Sequence, residues 1–176
     1  DVGTEREVNI MVGVHLLNNV IIAPGEEFSF NKSIGSIADN PDFIGGTGIS
    51  AGVIQDEFGG GICQVTTTAF RAGIMAGLPI TAWDPHTYRL QGYERDGWGP
   101  GFDASIYQPD WIPAEDWSDL RFLNNTDNFI LISSWADGGI HVVEIYGTDP
   151  GWDVQRCETS SWETEPSNGK RRILGW

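Results

Sequence analysis

The hydrophobic pattern of this chain changes period after its second helical stretch, and that change limits the class of fold open to it. Ahead of Gly77-Leu78-Pro79, two stretches place apolar residues at helical spacing. Arg6 to Asn18 carries Val8, Met11, Val12, His15 and Leu16, and Asn18-Asn19 stops it. The second runs from about Cys63 to Ala76, presents Val65, Ala69, Ala72 and Met75 as an inward face, and ends at Gly77 with Pro79 beyond. After Pro79 the runs are short and bounded by turn residues: Thr87 to Tyr93, Phe102 to Tyr107, Leu120 to Leu123, Asn128 to Trp135 and Ile140 to Tyr146 read as strands. Asp137-Gly138-Gly139 is a hairpin signal between the last two. Strands joined by hairpins imply an antiparallel sheet, so the expected class is α+β, with two principal helices, the second beginning at Cys63.

Pro24-Gly25 makes a turn, Glu26 to Phe30 reads as a short strand, and Asn31 to Asp56 is a polar excursion rich in Gly, Ser, Asn and Asp. Such excursions border or cover sites. Trp98, Trp111 and Trp117 sit in insertions between strands, as ligand-facing aromatics or as lids on the core. Residues 1–149 are read as one domain and 150–176 as an irregular extension, docked on it by Trp152, Trp162 and Trp176.

With 40% hydrophobic residues, the 176-residue chain can bury a core of its own. Twenty-five acidic against 10 basic residues give a formal charge of −15, which argues against unassisted binding to nucleic acid or to an anionic membrane. No apolar run has the length of a membrane helix, and no signal peptide is evident. The first residue is Asp1 rather than Met, which is compatible with an anchor upstream. Cys63 and Cys157 are expected to be free thiols, with a structural disulfide between them as the alternative.

The segment expected to carry chemistry is Gly59-Gly60-Gly61-Ile62-Cys63-Gln64, followed by Val65-Thr66-Thr67-Thr68. Glycines free the backbone for close approach, and a cysteine where a helix begins sits among unpaired N–H groups that favour a thiolate. The same N–H groups can hold the oxyanion formed when sulfur attacks a carbonyl. Gly60, Gly61, Ile62, Gln64 and Thr66 are the candidates for oxyanion and substrate binding.

A cysteine nucleophile needs a base and a group to orient that base. Of three histidines, His15 reads as a core histidine on the first helix and His141 as structural on a strand. His86 follows Asp84-Pro85 at a strand start and ranks first. Asp103 stands one hairpin away, where pairing would bring it beside His86. A turn-capping role for Asp103 stays open, with Asp84 in reserve. No Cys-x-x-Cys or His-x-x-x-His spacing is present, so neither a metal nor another cofactor is expected.

Several segments together resemble the VanW domain family of bacterial cell-envelope proteins. They are Asn9-Ile10, Ile22-Ala23-Pro24-Gly25-Glu26-Glu27-Phe28-Ser29-Phe30-Asn31, Gly59 to Thr68, Pro85-His86-Thr87, Gly101-Phe102-Asp103-Ala104 and Leu120-Arg121-Phe122-Leu123-Asn124-Asn125-Thr126. The resemblance departs at Ala82-Trp83-Asp84, where the family often has a basic residue, and at Trp98 to Gly101. It implies an extracytoplasmic enzyme acting on peptidoglycan stem peptides, a cysteine-dependent L,D-transpeptidase that makes 3-3 cross-links. Cys63, His86 and Asp103 match the family's motif cysteine, histidine and aspartate. The rival readings are a non-catalytic wall-binding module and an L,D-carboxypeptidase or amidase with water as acceptor.

Overall fold

The computed structural model describes residues 4–50 and 53–155, together with two short strands at Glu163–Thr164 and Arg172–Ile173. Cys157, Trp162 and Trp176, and the disulfide alternative with them, lie outside the described residues. The fold is α+β. Helix α1 (Glu5–Leu17) leads into β1 (Val20–Ile22) and β2 (Glu27–Ser29), then a short α2 (Phe30–Ile34). A hairpin of β3 (Gly45–Ser50) and β4 (Val53–Phe58) precedes α3 (Ile62–Met75), followed by β5 (Ile80–Ala82), β6 (Arg121–Leu123), β7 (Ile130–Asp137) and β8 (Ile140–Tyr146). Two three-stranded antiparallel sheets result, in the orders β1-β7-β8 and β2-β6-β5.

Helix α1 starts where Thr4 caps it, the hydroxyl accepting from the Glu7 N–H, with Glu5 and Glu7 favourably placed in the first turn. It packs on β7 and on α3, which in turn meets β8. The helices approach closely because position 13 is glycine: a Cβ there would lie 2.3 Å from Ile62 Cδ1. Along β7, alternation puts Ile130, Ile132 and Ser134 on the buried face. The second sheet closes the other side of the core, with Phe28 stacked on Phe122 at 4.4 Å and Phe122 against Gly73 of α3.

Three readings of the pattern need correction. Residues 87–93 form bends and a 3-10 turn (Gln91–Tyr93) instead of a strand, because Arg89 closes a local loop on Glu94 through two short hydrogen bonds, Nε to Oε1 and Nη2 to Oε2. Residues 102–107 are extended but make only isolated bridges, Asp84 with Ser105 and Tyr107 with Ser118. The excursion from Asn31 to Asp56 contains the β3–β4 hairpin, masked in the sequence by its glycines.

The helix faces are also rotated from expectation. His15 is exposed, while Asn9, Ile10, Gly13, Val14 and Leu17 face the core. On α3 the inward stripe continues through Phe70 and Gly73, leaving Ala72 half-buried and Met75 55% exposed. Trp98 and Trp117 are half-buried, whereas Trp111 is 73% exposed and meets Tyr107 edge-on. Trp152 and Val154 lie against Gly77 at the end of α3.

Asn9 ties three elements together. Fully buried on α1, its Nδ2 donates to the carbonyls of Ile44 and Gly60, both at 3.0 Å, and its Oδ1 accepts from the Ile44 N–H at 2.9 Å. Every polar atom of the amide is thus used, and the glycine loop is pinned to the chain entering β3. Replacing Asn9 by Leu, which leaves these backbone groups unpaired, is expected to cost about 3 kcal/mol in denaturant unfolding.

His141 has the opposite surroundings to a paired histidine. Its Nε2 meets Ser134 Oγ at 3.2 Å, and its buried Nδ1 has no partner among the described residues. Burial lowers its pKa to about 4 from an ordinary 6.5. Because the folded state disfavours the proton, this contribution to stability is present above pH 6.5 and is lost as pH falls through 4. Between those limits the wild type is expected to lose on the order of 3 kcal/mol more than His141→Phe, read from denaturant titrations at each pH.

Candidate active site

The site begins with a match between a helix and an extended segment. On α3, Cys63, Thr67 and Arg71 recur every four residues and so line one face. Residues 102–106 run antiparallel along that face and meet it at every second residue. The Cys63 thiol donates to the Ile106 carbonyl at 3.9 Å. Thr67 Oγ1 donates to the Ala104 carbonyl at 3.0 Å and accepts from the Ala104 N–H at 3.1 Å. Arg71 Nε donates to the Phe102 carbonyl at 2.8 Å. A helix face therefore takes the place of a neighbouring strand, which is why residues 102–107 form no ladder.

Residues between those contacts point the other way, toward the segment after β5. There Asp84 and Ser105 form an antiparallel bridge, with the Ser105 N–H donating to the Asp84 carbonyl at 2.8 Å. In that register, two residues further along each chain, His86 falls opposite Asp103. One carboxylate oxygen, Asp103 Oδ2, accepts from the His86 backbone N–H at 2.9 Å and contacts Nδ1 at 2.6 Å. A carboxylate only accepts, so it fixes a proton on Nδ1, and the ring also lies within interaction range of Cys63.

The imidazole is 12% exposed and its carboxylate partner 14%. Burial alone would drive the His86 pKa down, but the Asp103 hydrogen bond and the adjacent Cys63 outweigh it and raise the pKa to about 9. At neutral pH the ring is therefore an imidazolium. Tyr93 stacks on it, centroids 5.1 Å apart and planes 22° from parallel. The Tyr93 phenol is itself held neutral, its pKa raised first by burial and then by the Cys63 charge.

The glycine loop sets the cysteine at the start of α3. Gly61 has φ +111°, and a Cβ there would lie 2.9 Å from Arg6 Cγ and 3.0 Å from the Arg6 carbonyl, so only glycine fits. The Ile62 N–H donates to the Gly59 carbonyl at 3.2 Å and the Gln64 N–H to the Gly61 carbonyl at 2.9 Å. The Cys63 N–H has no acceptor among the described residues. Gly60 is buried, with its carbonyl held by Asn9.

Cys63, His86 and Asp103 thus come together, with the cysteine half-buried. The binding candidates divide. Gly60 and Gly61 form the loop, whereas the Ile62 and Gln64 N–H groups are engaged within it. Gln64 Oε1 accepts from Arg6 Nη2 at 3.1 Å. Thr66 is fully buried and donates to the Ile62 carbonyl at 3.2 Å, which turns its side chain into the core. Asp84 contributes through its backbone carbonyl, which also accepts from Ser105 Oγ. Sequence reasoning missed Tyr93, Thr67, Arg71 and Arg6. A polar stripe at 63, 67 and 71 on an apolar helix was the available signal for two of them.

These features define an α+β domain built around a Cys–His–Asp cluster at a glycine-flanked helix start. The chain belongs to the VanW-like family: residues 5–146 match the family described as "VanW like protein". It is 32% identical over 146 residues to the uncharacterized protein YoaR of Bacillus subtilis (strain 168), covering 82% of this chain and 44% of that protein. To the vancomycin B-type resistance protein VanW of Enterococcus faecalis (strain ATCC 700802 / V583) it is 27% identical over 119 residues, 68% of this chain and 41% of that one. The chain therefore spans under half the length of these curated relatives. No solved structure matches. Among the described residues, no helix is long and apolar enough to cross a membrane.

If His86 and Asp103 act on the sulfur as a unit, His86→Gln and Asp103→Asn should each slow Cys63 alkylation by iodoacetamide at pH 7 by about tenfold or more. Unchanged rates in both variants would separate the pair from the thiol.

Proposed function

We propose that this domain is a cysteine acyltransferase of the cell wall, an L,D-transpeptidase that forms 3-3 cross-links between peptidoglycan stem peptides, working outside the cytoplasm. The observation that carries the acyl-transfer reading is a half-buried helix-start thiol within electrostatic reach of an imidazole that a carboxylate holds at 2.6 Å. Membership of the VanW-like family, and the relative named for vancomycin resistance, support the cell wall as its place of action.

The attacking state pairs a Cys63 thiolate with the His86 imidazolium, the sulfur having given up the proton that it directs at the Ile106 carbonyl. Sγ attacks the carbonyl carbon that follows the L-centre of the third residue in a tetrapeptide stem. Negative charge moves to the carbonyl oxygen, for which the Cys63 N–H is the proposed donor; one such donor contributes on the order of 3 kcal/mol to the transition state. Collapse breaks the C–N bond, His86 passes its proton to the leaving amine, and D-alanine departs from a thioester.

Acylation also changes His86. Its high pKa owes part of its rise to the sulfur's charge, which the thioester removes. A neutral ring is then the right base for the second step. It takes a proton from the amine of a neighbouring stem as nitrogen attacks the thioester, and the C–S bond breaks to restore the ion pair. Water in place of the amine gives a carboxypeptidase by the same path.

Intact-mass spectrometry after incubation with a tetrapeptide stem tests the reading. The wild type is expected to gain the acyl mass with loss of D-alanine, and Cys63→Ala to gain nothing while melting at an unchanged temperature. An adduct that persists in Cys63→Ala would reject Cys63 as the nucleophile. Addition of an amine acceptor then separates cross-linked dimer from hydrolysed tripeptide.

A further inference from the structure

Arg71 lies two helical turns beyond Cys63 and reaches both segments that complete the cluster. Its Nε donates to the Phe102 carbonyl, the residue immediately before Asp103. Its Nη2 donates to the carbonyl of Tyr93, whose ring covers His86. Beneath it lies Trp98, 4.8 Å from the guanidinium carbon to the ring centroid, and Trp98 in turn tilts against Phe102 at 5.4 Å. A guanidinium presents a rigid fork of donors, so one side chain can hold two carbonyls at a fixed separation.

From this geometry we infer that Arg71 is the positioning residue of the cluster, a clamp from the cysteine helix that sets Asp103 and the Tyr93 cover at the distance His86 requires. The inference rests on the reading that His86 and Asp103 serve Cys63. Arg71 does not touch the reacting atoms. It acts through backbone carbonyls on either side of the histidine, and its alignment with Cys63 follows from their shared helix.

The groups facing the His86 ring are Asp103 from the extended segment, Cys63 from α3 and Tyr93 from the 3-10 turn. Arg71 is also within electrostatic reach of Asp103, so a pure charge effect and a clamp differ in sign. Removing a positive charge near the carboxylate would make His86 hold its proton more tightly. Loosening the carboxylate would make His86 release it sooner.

The test follows the His86 ring by NMR through a pH titration in the wild type, Arg71→Lys and Arg71→Met, with melting temperatures recorded alongside. Lysine keeps the charge and loses the fork. A clamp is expected to lower the His86 midpoint by about one unit or more in both variants. It should also slow Cys63 alkylation at pH 7 in both, by about tenfold. The inference is overturned if Arg71→Lys titrates like the wild type while Arg71→Met shifts upward, or if both melt earlier with the midpoint unmoved. Should neither Arg71 variant fold, Trp98→Leu takes their place: a lowered His86 midpoint supports the clamp, and an unmoved one rejects it. A wild-type Cys63 that alkylates no faster than a free thiol would instead remove the acyl-transfer reading, leaving the titration comparison to judge the clamp alone.

Discussion

Four residues of α-helix advance about 6 Å and two residues of strand about 6.6 Å, and the site depends on that near equality. It lets Cys63, Thr67 and Arg71 meet Ile106, Ala104 and Phe102 in step. Thr67 shows the logic best, since one hydroxyl satisfies both the N–H and the carbonyl of Ala104, as a neighbouring strand would. With alternate backbone groups spent on the helix, the remaining ones face the chain after β5. Asp103 therefore arrives at His86 as a consequence of pleating.

Two histidines in one small domain show which electrostatic effect prevails where. Both are largely shielded from water, and for both, burial opposes the proton. His141 has a serine hydroxyl at one nitrogen and nothing at the other among the described residues, so burial wins and its pKa falls to about 4. His86 has a carboxylate at 2.6 Å and a sulfur beside it, and its pKa rises to about 9. The contrast identifies the carboxylate and sulfur as the decisive neighbours, since the polypeptide surroundings alone push both rings the same way.

Much of the architecture was legible because it is periodic or punctuated. The helices α1 and α3 follow from apolar spacing and their Asn and Gly stops, and the β7–β8 hairpin from Asp137-Gly138-Gly139. Cys63, His86 and Asp103 could be singled out by residue type beside glycine and proline. The β3–β4 hairpin could not, since its ladder is built on a glycine-rich segment whose composition reads as loop. Residues 87–93 carry a strand-like composition that a local Arg89–Glu94 pair overrides. The contacts of Asn9 and Arg71 were hidden for a different reason: both reach backbone carbonyls far along the chain, and the polar stripe on α3 marks a face without naming the carbonyls it meets. Tyr93 acts by stacking on a ring seven residues away, which residue type alone does not report.

The stepwise meeting of helix and extended segment makes chain length, as much as residue identity, a property of the site. One residue inserted between Cys63 and Arg71 would turn everything downstream of it by about 100° around the helix axis. One inserted between Phe102 and Ile106 would send Asp103 to the opposite side. Both stretches should therefore tolerate exchanged side chains better than any change in the number of residues.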